Sequence, residues 1–213
     1  MTYIHLQQAL PKVFAGRTII SEVWQQDIRF EKGKSYLIEA ASGTGKSSLC
    51  SFIYGYRNDY QGTIRFGETD IRSYSIRQWV DIRDRSLGML FQELRVFPEL
   101  TALDNVLLKN KLTGFKKKKE ILGLFEALDM SDKINEKAAT LSFGQQQRVA
   151  FIRSLCQPFD FILLDEPVSH LDDVNSKLMG ELLYNEVTAQ EAGVIITSIG
   201  KQMNYTYDHI LKL

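Results

Sequence analysis

Residues 34–55 read KSYLIEAASGTGKSSLCSFIYG: a compact apolar strand candidate, a turn rich in glycine and serine, and a helix that Gly55 can end. Strand, glycine-rich turn and helix in this order is what a phosphate-binding unit requires. The turn AASGTGKSS (40–48) fits GxxxxGK[ST] with one departure, because Ala40 stands in the first glycine position. Gly43 and Gly45 let backbone N–H groups turn inward around phosphate oxygens, and the helix N-terminus adds its dipole. Lys46 reaches the β and γ phosphates, and the Ser47 hydroxyl can ligate Mg²⁺. Ser42, Thr44 and Ser48 complete the candidate nucleotide loop. Ala40 has no long side chain to fill the cradle, although a positive φ there would carry a cost.

A second chemical signal lies in FDFILLDEP (159–167), an almost continuous apolar run of the kind found in a central parallel strand covered on both faces. Its end carries Asp165 and Glu166, at the C-terminal edge of a strand, where ligands of open α/β sheets sit. Asp165 would hold Mg²⁺ through water, and Glu166, pointing differently, would orient or deprotonate an attacking water. The bland alternative is two acids opening a turn before Pro167.

The rest of the chain alternates in the same way. GTIRFGETDI reads as a hairpin, LGMLFQ as a strand ending at Gln92, and GVIIT (193–197) as another buried strand, with HILKL closing the chain. From Thr101, a candidate cap for TALDNVLLKNKL, the period becomes helical: Ile121, Leu124, Phe125 and Leu128 fall on one face. A further helix includes SKLMGELLYNEV. The pattern predicts a three-layer α/β core with a helical middle third.

With 213 residues the chain has room for one large domain. Its 26 basic and 26 acidic residues cancel, which argues against nucleic acid as the main partner. No apolar run approaches the ~18 residues needed to span a bilayer, so the expected location is cytoplasmic. Cys50 and Cys156 sit in apolar helical contexts and read as buried, unpaired thiols.

Taken in order, Lys46, Gln92, LSFGQ (141–145), LLDEP and SHLD (169–172) resemble the motifs of the nucleotide-binding subunit of an ATP-binding cassette (ABC) transporter, and the likeness covers essentially the whole chain. It is most similar to the lipoprotein-releasing, macrolide-exporting and cell-division group. The resemblance implies a P-loop NTPase core of mainly parallel sheet, an antiparallel N-terminal β subdomain and an inserted helical subdomain. The implied single cassette spans 1–213, with its core at about 1–92 and 158–213 and the helical signature subdomain at about 93–157. It implies ATP and Mg²⁺ as ligands and a head-to-tail dimer, most simply of identical chains, in which Ser142 and the Gly144 N–H of one subunit touch the γ-phosphate held by Lys46 and Ser47 of the other. Gln145 to Gln147 would then begin a helix at the dimer surface. Gln92 matches a glutamine that senses Mg²⁺ and the attacking water, Phe14 an aromatic that stacks on adenine, and Asp172 an aspartate that couples the two sites. A stand-alone cassette implies separate transmembrane subunits, docked on the groove near Glu93 to Pro98, and hence a peripheral position at the inner face of the membrane. The run Lys116 to Lys119 reads as a solvated loop in preference to a lipid contact.

Two departures from the family pattern stand out. Ser198 takes the place of a histidine that contacts the γ-phosphate, and Phe143 replaces the first glycine of the signature. Lost phosphate contacts of that kind are worth ~2–4 kcal/mol of transition-state stabilisation. Two function classes follow: an ATP-hydrolysing motor subunit of a transporter, and an ATP-dependent dimerising clamp or signalling module with negligible hydrolysis. A cassette for DNA repair or translation is disfavoured by the absence of a coiled-coil insertion, a tandem cassette or a basic surplus.

Overall fold

A computed structural model describes residues 1–213. Five parallel strands form the central sheet: β3 (Ser35–Glu39), β6 (Leu87–Leu90), β7 (Phe161–Asp165), β8 (Gly193–Ser198) and β9 (His209–Lys212), in the order β6-β7-β8-β3-β9. A second, antiparallel sheet has the order β2-β1-β4-β5, built from β1 (Tyr3–Pro11), β2 (Asp27–Glu31), β4 (Tyr60–Phe66) and the two-residue β5 (Thr69–Asp70). Strands β7 and β8 are buried at every position, which is why both read as unbroken apolar runs.

Alternate side chains of the parallel sheet face different layers. Tyr36, Ile38, Phe161, Leu163 and Ile195 pack with Leu49, Phe52 and Ile53 of α1 (Lys46–Ile53) and with Ile4, Leu6, Phe30 and Ile64 of the antiparallel sheet. Leu37, Ile162, Leu164, Val194 and Ile196 pack on the opposite side with Val106 of α3 (Ala102–Thr113), Val149 and Ile152 of α5 (Phe143–Leu155), and Met179 and Leu183 of α6 (Asp173–Gln190). The expected three-layer α/β architecture is present.

Local signals account for the helix starts. Thr101 accepts a bond from the Asp104 N–H, as expected of a cap, and Asp172 does the same for α6 through Asn175. Helix α2 (Ile76–Arg85) escaped the sequence reading, although Ser75 and Gln78 form the reciprocal capping box that the S-x-x-Q pattern announces. The strand expected to reach Gln92 stops at Leu90: Leu94 and Arg95 take positive φ, and Arg153 holds both of their carbonyls, so the stretch after β6 is shaped by α5 and not by strand pairing.

The lysine run also differs from expectation. Helix α4 (Lys118–Ala127) begins inside it, and Lys116 is no solvated loop residue: its Nζ lies 2.8 Å from Glu186 of α6, with only 9% of its side chain exposed. Cys50 and Cys156 are buried and unpaired, as expected. No helix is long and apolar enough to cross a membrane.

Candidate nucleotide site

At the C-terminal edge of the parallel sheet the turn before α1, the turn after β7 and the stretch after β6 meet the 3₁₀ turn Lys12–Phe14. They enclose a cleft of about 480 Å³ whose walls include Phe14, Arg17, Ser42, Gly43, Gly45, Lys46, Ser47, Ser48, Gln92 and Glu166.

The turn before α1 has the backbone that its glycines permit. Gly43 and Gly45 adopt φ of 82° and 100°, where a side chain would be strained, and a Cβ on Gly45 would lie 3.1 Å from the Phe14 ring. Thr44 does not line the cleft; its carbonyl accepts a bond from Trp24 Nε1 at 3.0 Å, so the indole props the turn from behind. Ala40 stays out of the left-handed region, and the departure from the loop pattern carries no backbone strain. Lys46 is 4% exposed, and a buried ammonium needs partners. It finds the Ala41 carbonyl at 2.9 Å and the Glu166 carboxylate at 3.8 Å.

Asp165 and Glu166 are consecutive but diverge because Glu166 takes a φ of 53°. Asp165 is buried and accepts a bond from the Thr197 hydroxyl at 2.6 Å. Glu166 turns into the cleft, where its Oε2 accepts from Gln92 Nε2 at 3.5 Å, and Gln92 Oε1 in turn accepts from the Ser47 hydroxyl at 3.4 Å. Ser47, Gln92 and Glu166 therefore form one polar chain along the wall that also holds Lys46. The donor set of a hydroxyl, an amide oxygen and a nearby carboxylate suits a hard divalent cation. No group of three or more His, Cys, Asp or Glu side chains stands ready to cage a metal, so a cation here would share its coordination with substrate phosphates.

The signature turn lies elsewhere. Ser142 caps α5 and forms a reciprocal box with Gln145; neither these residues nor Gly144 line their own chain's cleft. The three glutamines do three different things. Gln145 closes the cap, Gln146 donates to the carbonyls of Ala138 and Leu141, and Gln147 is 2% exposed and donates to the Pro167 carbonyl at 2.6 Å. Gln147 is thus no surface residue, contrary to the expectation for 145–147. Phe143 is half exposed and packs edge-to-face on His170, with ring centroids 4.6 Å apart.

Ser198, expected in place of a phosphate-contacting histidine, is 3% exposed and donates to the Lys201 carbonyl at 2.7 Å; Ile199, the next residue, lines the cleft instead. The sequence reading also missed Trp24, Thr197 and Arg17. Only Thr197, at the end of an apolar strand that had to lie beside β7, carried a signal that could have found it.

Comparison with known proteins agrees with this geometry. The family model for ABC transporters matches residues 25–169. The chain is 35% identical to the uncharacterized ABC transporter ATP-binding protein YclH of Bacillus subtilis, over 88% of this chain and 83% of that one. It is 30% identical to the lipoprotein-releasing system ATP-binding protein LolD of Porphyromonas gingivalis, over 88% and 87%. It is 35% identical to the methionine import ATP-binding protein MetN of Clostridioides difficile, of which it spans 55%. Among solved structures it is similar to the dimeric bacterial ABC transporter cassette MJ0796, with a TM-score of 0.77 at 26% identity over 91% of this chain and 87% of that one. A post-hydrolysis state of the same cassette, bound to ADP and Pi, gives 0.76.

Proposed function

The chain belongs to the ABC transporter family, and from that premise we propose that it is the ATP-hydrolysing subunit of a transporter, closing head to tail with a second cassette around two ATP and driving separate transmembrane subunits. The observation that carries this reading is the single cleft in which Lys46, Ser47, Gln92 and Glu166 face one another.

In that cleft the loop N–H groups and Lys46 bind the phosphates, and Phe14 offers an aromatic face to the base. Ser47, Gln92 and Asp165 would hold Mg²⁺, which supplies charge neutralisation at the transferring phosphoryl group. Glu166 accepts the proton of the attacking water, and Gln92 holds both that carboxylate and Ser47 in register. Ser142, Gly144 and Gln145 face outward at the start of α5, placed to meet the partner's γ-phosphate, with Asp172 beside them. We take the helical subdomain as about 93–157 and the core as the remainder. The exposed Phe97, in the stretch after β6, marks the groove for the transmembrane partner.

Steady-state phosphate release with Mg-ATP, compared between the natural chain and Glu166→Gln after both are shown to bind ATP, tests the reading. Loss of turnover by at least ~100-fold is expected. Equal rates in the two proteins would reject autonomous hydrolysis and leave an ATP-dependent clamp.

A further inference from the structure

The cleft's own walls give a terminal phosphate little beyond Lys46 and the loop amides. From β8 the wall is Ile199, an aliphatic side chain, while Ser198 spends its hydroxyl on Lys201. A polar contact on that side of the phosphate has to come from outside the chain. We propose that it comes from His170 of the partner cassette, which would donate a hydrogen bond to the terminal phosphate bound across the dimer. The proposal rests on the head-to-tail reading given above.

Three histidines are present in the chain. His5 is buried and bonded to Asp27 at 2.6 Å. His209 stacks on Tyr36, at the start of β3, the end of the sheet away from the nucleotide turn. His170 alone stands beside the signature turn. It is exposed, its ring contacts Phe143, and its carbonyl and the Leu171 side chain are the groups nearest Gly144. Whatever phosphate seats against Ser142 and Gly144 therefore meets this imidazole at the same edge.

The hydrogen bonding sets the ring up as a donor. Ser169 Oγ lies 2.8 Å from His170 Nδ1 and 3.3 Å from the Glu166 carbonyl. The shorter contact assigns the hydroxyl proton to Nδ1, and a neutral imidazole then carries its own proton on Nε2. Phe143 fixes the ring plane through an edge-to-face contact. The aromatic side chain that displaces a glycine from the signature thus has a local function: it holds His170 at the turn.

The test uses mixed dimers in which Lys46→Ala in one chain leaves a single ATP site, with Glu166→Gln in the binding chain so that ATP is retained. The readout is the release rate of labelled ATP. Placed in the facing chain, His170→Ala should speed release about tenfold; placed in the binding chain it should change nothing. His170→Gln, which keeps a donor, should recover part of the loss. Ser142→Ala run through the same two arrangements reports on the dimer itself. A facing-chain effect for Ser142 with none for His170 overturns the proposal and leaves the dimer reading standing. Equal effects of His170→Ala from either chain overturn it as well. If Ser142 also fails to act from the facing chain, the head-to-tail reading falls and the proposal with it.

Discussion

Gln147 donates from Nε2 to the carbonyl of Pro167 across 2.6 Å, so the helix that starts at the signature turn is tied to the turn that carries Glu166. The two motifs lie in different parts of the sequence and face different nucleotides in the proposed dimer, yet one buried amide joins them. Movement of α5 on contact with the partner's phosphate has, in this bond, a direct route to the carboxylate of its own cleft.

Replacing Gln147 by methionine keeps the volume and removes the donor. The Pro167 carbonyl is left unpaired, but Gln147 Oε1, itself buried and without a partner, disappears as well. The two effects oppose each other, and a net destabilisation of ~1–2 kcal/mol is expected from denaturant unfolding. A methionine variant as stable as the natural chain would show that the amide carries no load.

Thr197 should matter for the metal. Its hydroxyl holds Asp165, and the Glu166 N–H reaches both its hydroxyl and its carbonyl at 3.2 Å. Thr197→Val is nearly isosteric and leaves a buried carboxylate short of one donor, which is worth about 1.5–3 kcal/mol in stability. Loss of an outer partner of a metal-holding carboxylate typically weakens the metal by ~10–100-fold. The Mg²⁺ concentration for half-maximal turnover should rise by that factor, and an unchanged value would place Asp165 outside the metal site.

The parts of the site visible in the sequence are those fixed by local backbone chemistry. The turn around Gly43 and Gly45, the acidic pair ending a buried strand, and the caps at Thr101, Ser142 and Asp172 each depend on a few adjacent residues. What escaped depends on partners far along the chain. Lys116 looks like one of four solvated lysines until Glu186, 70 positions away, is placed beside it. Gln147 looks like the third of a polar triplet until the helical turn sends it inward. Ser198 aligns with a phosphate-contacting position, but a turn closed on Lys201 directs its hydroxyl elsewhere. Periodicity tells which face a residue occupies, and cannot tell what stands opposite.

The two thiols should be inert in the folded protein. Burial pushes the Cys156 thiol up to about 12, and burial followed by the nearby Asp165 charge pushes Cys50 well above its ordinary value. A thiol raised in the folded state stays protonated through the pH range where ordinary cysteines, at about 8.5, begin to ionise. Native protein at pH 8 is therefore expected to give no reaction with an aromatic disulfide reagent, and two equivalents after denaturation. Fast labelling of either thiol without unfolding contradicts the packing described for α1 and the end of α5.

Asp172 supplies a pH signature. The Asn175 backbone N–H, then the Asn175 side chain, hold its carboxyl below the usual carboxylate range, with Arg148 and Lys201 adding to the effect. A folded value lower than the unfolded one means that the stabilisation is fully present above about pH 4 and is lost as pH falls through the depressed value. Asp172→Asn keeps the cap without the charge. The stability gap between the two proteins should therefore narrow as pH is lowered from 5 to 2.5, and a gap that widens would reverse the assignment.

Gly180 sets two effects against each other. Alanine in place of glycine inside a helix is ordinarily worth ~1 kcal/mol, and α6 is long and otherwise regular. A Cβ at this position, however, would lie 1.9 Å from the Asn204 carbonyl oxygen. That oxygen belongs to backbone, and the neighbouring Met203 is buried, so the segment has little room to withdraw. Forced repacking of this kind costs ~1–3 kcal/mol and outweighs the propensity gain, so Gly180→Ala should destabilise the protein. Gly123, in α4, has open space where its Cβ would go, and Gly123→Ala should stabilise by up to ~1 kcal/mol. Opposite signs for the two glycines in denaturant unfolding would place the 203–205 segment firmly against α6; a stabilising Gly180→Ala would mean that it does not rest there.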